Sequence, residues 1–282
     1  MNKIVSRKKI ELTSSQEKFV KSGWGEEVID TQTEAITYLS DGMKVNGYIA
    51  YPKEINKKLP CIIWCRGGIG EAGVIDNFNA RGIFGLIASW GYVVLASQYR
   101  GNAGSEGKDD FGGDDLNDIL NLTALSEEID FIDNNRWGIE GWSRGGMMTY
   151  LALTRTDIFK AAVITGGIAN LRCNSEESKF MRHLYELSMG NPSSVDFKNK
   201  CRERSIINFP EKISKSTNLL LLHGTADDKV LPHDSIDMSY KLIEHGINFR
   251  LILYENGDHY LKAHRKEADI ERKKWYQKYL ED

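Results

Sequence analysis

The sequence predicts an α/β fold in which a mostly parallel central sheet is covered by helices on both faces. The first indication is a series of continuous apolar runs of strand length, at 60–65, 91–96, 137–140, 161–164, 218–222 and 249–254. Such runs are typical of parallel strands, which are buried on both faces. The second is that each run is followed within a few residues by glycine, and the third is that helical patterns separate several of the runs. The carboxyl ends of parallel strands share one edge of the sheet, and ligand sites form there.

The chain is predicted to begin with a polar arm followed by a β-hairpin. Residues 1–27 are polar and rich in lysine, with a few apolar anchors such as Phe19 and Trp24, and indicate a surface arm or a short helix. Residues 34–39 and 44–51 alternate between apolar and polar side chains, and Ser40-Asp41-Gly42 between them is typical of a turn. We therefore expect an arm over 1–33 and one α/β domain over 34–282.

Helices are expected at 115–125, 145–154 and 233–245, and in the charged run 265–278, where Trp275 and Tyr279 indicate one packed face. The stretch 168–207 is long for a connection between strands, and we expect it to fold as helices over the site. Three aspartates, Asp114, Asp115 and Asp118, open the first of these helices. Carboxylates are favourable at a helix N-terminus, so capping is their expected role.

Composition and charge exclude several classes of function. The chain has 282 residues, with 37 basic and 40 acidic side chains and a net charge of -3, which disfavours binding to nucleic acid through phosphates. The purely apolar runs, such as Leu219 to Leu222, are all far shorter than a membrane span, and no secretory signal is visible at the N-terminus. The four cysteines form no metal or disulfide pattern, and Cys61 and Cys65 are expected to be buried on one strand face. These features predict a soluble cytoplasmic protein without a metal site.

The sharpest local motif is Gly141-Trp142-Ser143-Arg144-Gly145, where a short strand meets a helix. A serine on such a sharp turn needs glycine on both sides, because the close approach of strand and helix leaves no room for a Cβ atom. A serine hydroxyl is a weak nucleophile and requires an imidazole base, which in turn requires a carboxylate to orient it. The motif therefore predicts that an acid and a histidine lie near Ser143.

Two later motifs supply these partners in the order that this kind of site requires, which is serine, acid, histidine. Asp227 follows the apolar run 218–222, and His259 follows the run 249–254. Each comes directly after the carboxyl end of a predicted strand, so all three side chains can meet above one edge of the sheet. Their nearest alternatives are Asp228, Asp258 and His264. His223 precedes a glycine at a strand end, and we expect it to hold the loop that carries Asp227.

The motifs Gly-Trp-Ser-Arg-Gly-Gly, His-Gly-Thr-Ala-Asp-Asp-Lys-Val and Gly-Asp-His together resemble the catalytic domain of prolyl oligopeptidase-type serine peptidases, within the α/β-hydrolase superfamily. The resemblance covers roughly residues 35 to 280. It implies an α/β-hydrolase fold with Ser143 as nucleophile, Asp227 as acid and His259 as base. Members that are oligopeptidases usually carry an N-terminal β-propeller, for which this chain has no room, so hydrolase chemistry is implied more strongly than peptide specificity.

An acyl-transfer site also needs two hydrogen-bond donors for the developing oxyanion. The backbone N–H of Arg144, directly after the nucleophile, is the first expected donor. The second is the backbone N–H of Gly67, in the loop after the run 60–65; relatives usually have His or Tyr where this chain has Arg66. The expected substrate-binding side chains are those of Arg66, Trp142, Phe180 and Tyr185.

The leading functional hypothesis is a serine peptidase that acts on short peptides, with a carboxylesterase of the same fold as the alternative. Neither needs a metal or an organic cofactor, and an oligomer is compatible with both. A second alternative is a dinucleotide-binding oxidoreductase, because Gly68, Gly70 and Gly73 match Gly-x-Gly-x-x-Gly after a strand and Arg100 ends the next strand. A third is that the fold serves only as a binding module.

Overall fold

The computed structural model describes residues 3–281, and its central feature is a nine-stranded sheet. The strands of this described part of the chain are β1 (Ile4–Lys9), β2 (Thr31–Ser40), β3 (Met43–Pro52), β4 (Leu59–Cys65), β5 (Val93–Ser97), β6 (Ile132–Trp142), β7 (Phe159–Thr165), β8 (Asn218–Gly224) and β9 (Phe249–Tyr254). Their order across the sheet is β1-β2-β3-β5-β4-β6-β7-β8-β9. Strands β4 to β9 are parallel to their neighbours within that set, whereas β1, β2 and β3 are antiparallel and β3 joins the parallel part through β5. The predicted mostly parallel sheet and the predicted hairpin are both confirmed.

Helices cover both faces of this sheet. They are α1 (Ser14–Trp24), α2 (Asn77–Ser89), α3 (Leu116–Leu120), α4 (Arg144–Leu153), α5 (Leu171–Glu177), α6 (Lys179–Met189), α7 (Val195–Arg204), α8 (His233–Glu244) and α9 (Arg265–Leu280). The expected helix at 115–125 is shorter, because α3 continues as a 3₁₀ helix from Asn121 to Glu127. The stretch 168–207 forms α5, α6 and α7.

The sheet divides most of the core into two large apolar clusters. One face of the sheet packs against α4 and α8 through buried side chains such as Met147 and Met238. The opposite face packs against α2 and α9, which contribute Phe84 and Trp275. Cys61 and Cys65 are completely buried in β4, and both point to the α4 face, as expected. No helix in the range 3–281 is long and apolar enough to span a membrane.

The segment expected as a polar arm is joined to the sheet. Its strand β1 pairs with β2, and Arg7 donates two hydrogen bonds to Glu34. Helix α1 packs through Val20, which is 1% exposed, whereas the expected anchor Phe19 is 66% exposed. The interpretation of this segment as a surface arm therefore missed a strand that carries mostly exposed side chains. The division of the chain at residue 33, which falls inside β2, stays a prediction.

The aspartates at the start of α3 do not cap it, so that expectation was wrong for the two buried ones. The start of α3 has no side-chain cap. Asp118 is fully buried and accepts hydrogen bonds from Arg100, at 2.8 Å from Nη2, and from Ser40. Asp115 is fully buried against Arg144. Both carboxylates pair with buried arginines, whose charge would be costly to bury without such partners.

Candidate active site

Ser143 forms the strained turn between the end of β6 and the start of α4. Its backbone has φ 59° and ψ -121°, a conformation that side chains rarely adopt, and its N–H donates to the carbonyl oxygen of Thr165. A Cβ atom on Gly141 would lie 2.0 Å from the carbonyl oxygen of Gly145. A Cβ atom on Gly145 would lie 2.0 Å from that of Cys65 in β4. The glycines on both sides of Ser143 are thus required by close backbone contacts, and the turn holds the serine above the end of β6.

His259 and Asp227 form a buried pair. His259 Nδ1 lies 2.7 Å from Asp227 Oδ2, and both residues are at most 5% exposed. A carboxylate can only accept hydrogen bonds, so the imidazole carries its proton on Nδ1 and its Nε2 is a free base when the ring is neutral. The indole of Trp142 donates to the carbonyl oxygen of His259 at 2.9 Å, and its ring packs 5.1 Å from the imidazole, centroid to centroid. These contacts fix the orientation of the imidazole.

Asp227 is held by further donors. Its Oδ1 accepts hydrogen bonds from the backbone N–H groups of Lys229 and Val230, at 2.9 and 3.0 Å. His223 Nε2 lies 3.3 Å from Oδ2 and 2.9 Å from the carbonyl oxygen of Val230, while its Nδ1 accepts from Ser235. Burial would raise the pKa of Asp227, but the hydrogen bonds from His223 and His259 outweigh that effect and lower it. His223 thus holds the Asp227 loop, as expected.

The three alternatives to this pair have other surroundings. The carboxylate of Asp228 is 83% exposed and lies 3.6 Å from Lys229 Nζ. Asp258 accepts a hydrogen bond from the backbone N–H of Lys262, and its side chain is 44% exposed. His264 stacks on Tyr254 and lies 3.0 Å from the carbonyl oxygen of Glu255. The one histidine–acid contact among these alternatives, His264 Nδ1 to Glu267 Oε2 at 3.3 Å, is longer than that of His259 and Asp227.

Ser143 and His259 line one pocket of about 370 Å³. Between these two residues, both within the described part of the chain, there is no hydrogen bond; without substrate such a contact is often long or misaligned. Asp227 lies behind His259, and a Cβ on Gly166 would lie 3.3 Å from its Oδ2. The pocket wall is mainly apolar, with Ile69, Ile75, Ile83, Phe111, Ile168, Phe180, Met181 and Leu184 among its side chains. The wall formed by α6 is the predicted cover over the site.

The two expected oxyanion donors flank the nucleophile. Arg144 is the first residue of α4, so its backbone N–H has no acceptor within the helix. Gly67 lies directly against the turn: a Cβ atom there would be 2.9 Å from the carbonyl oxygen of Trp142 and 3.4 Å from Ser143 Cβ. Both Gly67 and Arg144 line the pocket.

The side chain of Arg144 connects the nucleophile turn to the glycine loop after β4, a contact that sequence reasoning missed. Its guanidinium donates to the carbonyl oxygen of Gly68 at 3.1 Å and to Asp109 at 2.6 and 2.9 Å, and it also pairs with Asp115. Burial alone would lower the pKa of Arg144, but the two carboxylates raise it. The guanidinium of Arg144 therefore links the nucleophile turn to the Gly67 loop, and its charge is balanced by Asp109 and Asp115.

Of the four expected substrate-binding side chains, two line the pocket and two do not. Trp142 and Phe180 line it. Arg66 is completely buried and donates from Nε to the carbonyl oxygen of Gln98, at 2.9 Å, with its guanidinium over the ring of Tyr99. Tyr185 is also completely buried and packs on Phe111, 5.6 Å away between ring centroids. Neither of these two residues lines the pocket, and a part for them in substrate binding stays a prediction. Lys229 and Tyr260 also line the pocket and were missed, because neither belongs to the motif that carries the serine.

The dinucleotide alternative was wrong. Gly70 to Gly73 form a 3₁₀ turn, and the next helix, α2, begins only at Asn77 with Asp76 as its cap. The helix that follows this glycine loop, α2, therefore does not begin at the last glycine of the loop, as the helix of a pyrophosphate site does. Arg100, the expected partner of a 2′-phosphate, is 5% exposed and is paired with Asp118 and Asp41.

The sequence and the fold of this chain are similar to those of known peptidases. The family model described as the prolyl oligopeptidase family matches residues 78–282. The uncharacterized peptidase YtmA of Bacillus subtilis is 32% identical over 211 residues, which are 74% of this chain and 77% of that protein. Dipeptidyl peptidase 8 of Homo sapiens is 32% identical over 243 residues, but these are 78% of this chain and only 26% of that protein. The acylaminoacyl peptidase of Pyrococcus horikoshii shares the fold, with a TM-score of 0.73 at 23% identity over 95% of this chain and 43% of that one.

Proposed function

The chain belongs to the prolyl oligopeptidase family, and from that premise we propose that it is a serine peptidase that cleaves short peptides through an acyl-enzyme. The observation that carries the proposal is the placement of Ser143 and His259 in one pocket, with His259 bound to the buried carboxylate of Asp227 at 2.7 Å. Proteins similar to this chain are named peptidases, which supports the choice of an amide as substrate.

In the proposed mechanism, Ser143 Oγ attacks the scissile carbonyl carbon. His259 Nε2 takes the hydroxyl proton and then gives it to the leaving amine, while Asp227 holds the imidazole and stabilises its charged form. The backbone N–H groups of Arg144 and Gly67 donate to the oxyanion of the tetrahedral intermediate. Water then attacks the carbonyl carbon of the acyl-enzyme while His259 Nε2 takes a proton from it; the bond to Ser143 Oγ breaks, His259 returns the proton to Oγ, and the acid is released.

A carboxylesterase is the second candidate, and the pocket itself favours it. Among residues 3–281, no aspartate or glutamate lines the pocket, so no carboxylate there would hold the free amino terminus of a peptide. An apolar pocket without such an anchor suits the acyl group of an ester as well as that of an amide. Hydrolysis of an ester and an amide that share one acyl group separates the two: a peptidase cleaves both, whereas an esterase leaves the amide intact.

We also propose that residues 34–282 form the catalytic domain and that the protein acts in a reducing compartment such as the cytoplasm. All four cysteines are free, and three of them, Cys61, Cys65 and Cys201, are buried. Free buried thiols are usual where glutathione keeps them reduced.

The first test of the proposed function is reaction with a fluorophosphonate probe, which labels activated serines. We expect stoichiometric labelling of the wild type and loss of labelling in Ser143→Ala and His259→Ala. His264→Ala is the matched control, because its histidine lies five positions away outside the pocket, and we expect it to be labelled at the wild-type rate. A folded wild type that is not labelled, or a Ser143→Ala variant that is, would contradict the assignment.

A further inference from the structure

Lys229 is the charged side chain of the pocket whose role is not explained by the proposed catalytic machinery. It follows the proposed acid, Asp227, by two residues, and its backbone N–H donates a hydrogen bond to the carboxylate of Asp227. Its side chain is 27% exposed and lines the pocket. The ammonium lies 5.2 Å from the ring centroid of Phe180 and 5.7 Å from that of Tyr260. Cation–π attraction by the two rings therefore holds this charge at the pocket.

The two rings are about half exposed, Phe180 at 52% and Tyr260 at 49%, so this corner is the rim of the pocket. Both rings are therefore accessible to a molecule that approaches this rim. The ammonium, which lies near both rings, can therefore contact a substrate group at the mouth of the pocket.

The charge on Lys229 is not balanced inside the pocket. The other permanent cation of the lining, Arg144, is neutralised by Asp109 and Asp115. No carboxylate lines the pocket within residues 3–281. The nearest acid, Asp228, lies 3.6 Å from Lys229 but is 83% exposed, and ion pairs in solvent contribute little. The pocket rim thus attracts an anion and repels an ammonium.

We propose that Lys229 is a specificity-determining residue that binds a carboxylate of the substrate, so that the preferred substrates are anionic acyl or peptidyl compounds with a blocked or absent amino terminus. This inference rests on the proposed function and names its substrate class. A carboxylate on the acyl side and one on the leaving group have the same chemistry, and the experiment distinguishes them.

The test compares two pairs of substrates that each differ in one charge. The first pair is a succinyl-peptide p-nitroanilide and its methoxysuccinyl counterpart, which differ in a carboxylate on the acyl side. The second pair carries the same neutral acyl peptide on 4-aminobenzoate or on 4-aminobenzamide, which places the carboxylate on the leaving group. In the wild type we expect kcat/KM to favour the anionic member of one pair by about fivefold, as for a partly exposed ion pair. In Lys229→Gln that ratio falls to about one, and in Lys229→Arg it is retained.

Lys262→Gln is the matched control. Lys262 Nζ lies 5.0 Å from the same Tyr260 ring, but its side chain is 76% exposed and does not line the pocket, so the substrate ratios should stay at their wild-type values. Ratios that are the same in the wild type and in Lys229→Gln for both pairs would overturn the inference, as would an equal loss in Lys262→Gln.

A binding measurement separates failure of this inference from failure of the proposed function. Calorimetry on the Ser143→Ala protein measures the Kd of the uncleaved succinyl and methoxysuccinyl peptides, and of the second pair. A further Lys229→Gln change should weaken only the anionic ligand, by about fivefold. Absent fluorophosphonate labelling with this binding difference intact would refute the hydrolase and leave the carboxylate site. Normal labelling with equal Kd values for charged and neutral ligands would refute the carboxylate site alone.

Discussion

At the scale of single residues, Asp227 receives hydrogen bonds from both sides of its carboxylate, which makes it a sensitive position for a variant. In Asp227→Asn, the amide can donate to His259 Nδ1 and so stabilise the tautomer that carries its proton on Nε2. The Nε2 atom, which must act as the base toward Ser143, then already carries a proton. We expect kcat to fall by a factor on the order of 10⁴ with little change in KM, as steady-state kinetics on an uncharged substrate would measure.

The neighbouring aspartate provides the control for that experiment. Asp228→Asn changes an exposed carboxylate next in the chain, and on an uncharged substrate its kcat should stay near the wild-type value. If Asp228→Asn lost activity and Asp227→Asn kept it, the acid would have been assigned to the wrong member of the pair.

The placement of the three motif residues at one edge of the sheet could be predicted from the sequence, but the directions in which neighbouring side chains point could not. Ser143, Asp227 and His259 are set by strand ends and by glycines, which the sequence displays directly. Arg66 stands next to Gly67, yet its guanidinium turns inward to Gln98 and Tyr99, because the backbone carbonyl and the ring face offer partners in the interior. Lys229 turns toward the pocket because two aromatic rings from distant segments lie there. Such partners come from the tertiary fold, so no local pattern indicates them.

At the scale of elements, the contact between the nucleophile turn and β4 depends on the absence of one side chain. In Gly145→Ala, the new Cβ would lie 2.0 Å from the carbonyl oxygen of Cys65 and 3.0 Å from that of Arg66, so α4 must move away from the sheet. We expect the free energy of unfolding to fall by about 3 kcal/mol and fluorophosphonate labelling to be lost. Chemical denaturation and the labelling rate measure the two effects.

Gly23→Ala is the matched control for that substitution. Gly23 lies inside α1 and a Cβ there would meet no atom within 4 Å, so alanine should raise the free energy of unfolding by about 0.5–1 kcal/mol through its helix propensity. If Gly145→Ala were as stable as the wild type, α4 would not be fixed against β4 in the way that the backbone contacts indicate.

The strands that carry the site could be predicted because they are buried on both faces and are therefore continuously apolar. The strand that was missed, β1, has the sequence Ile-Val-Ser-Arg-Lys-Lys, and five of its six residues are exposed. Edge strands commonly carry lysine and arginine, which protect them from pairing with other chains. Its place in the sheet is set by pairing with β2, and that pairing leaves no periodic apolar pattern in the sequence.

At the scale of the whole molecule, one buried carboxylate connects the helices over the site to the body of the fold. Asp234 in α8 accepts hydrogen bonds from the backbone N–H groups of Ala169 and Asn170 and from the side chain of Asn174. These three donors lie after β7 and in α5. Burial nevertheless raises the pKa of Asp234 from the ordinary 3.8 to about 6, against the effect of the donors.

This raised pKa predicts the sign of a pH effect on stability. Between about pH 4 and pH 6 the native state retains a proton on Asp234 that the unfolded chain has lost, so the free energy of unfolding decreases as the pH rises through this window. Asp234→Asn removes that contribution, and the wild type should therefore lose stability relative to this variant between pH 4 and pH 6, with no further relative change above. Urea denaturation at a series of pH values measures the difference.

The difference between the two proteins isolates Asp234, because groups that titrate equally in both cancel. Asp227, whose pKa is lowered, adds its own stabilisation above pH 3.8 and loses it below, so it does not overlap this window. Asp237→Asn, an exposed position on the same helix, should follow the wild type at every pH. If the wild type instead gained stability relative to Asp234→Asn from pH 4 to pH 6, the three N–H donors would outweigh burial, and the helices over the site would be held by an ionised carboxylate.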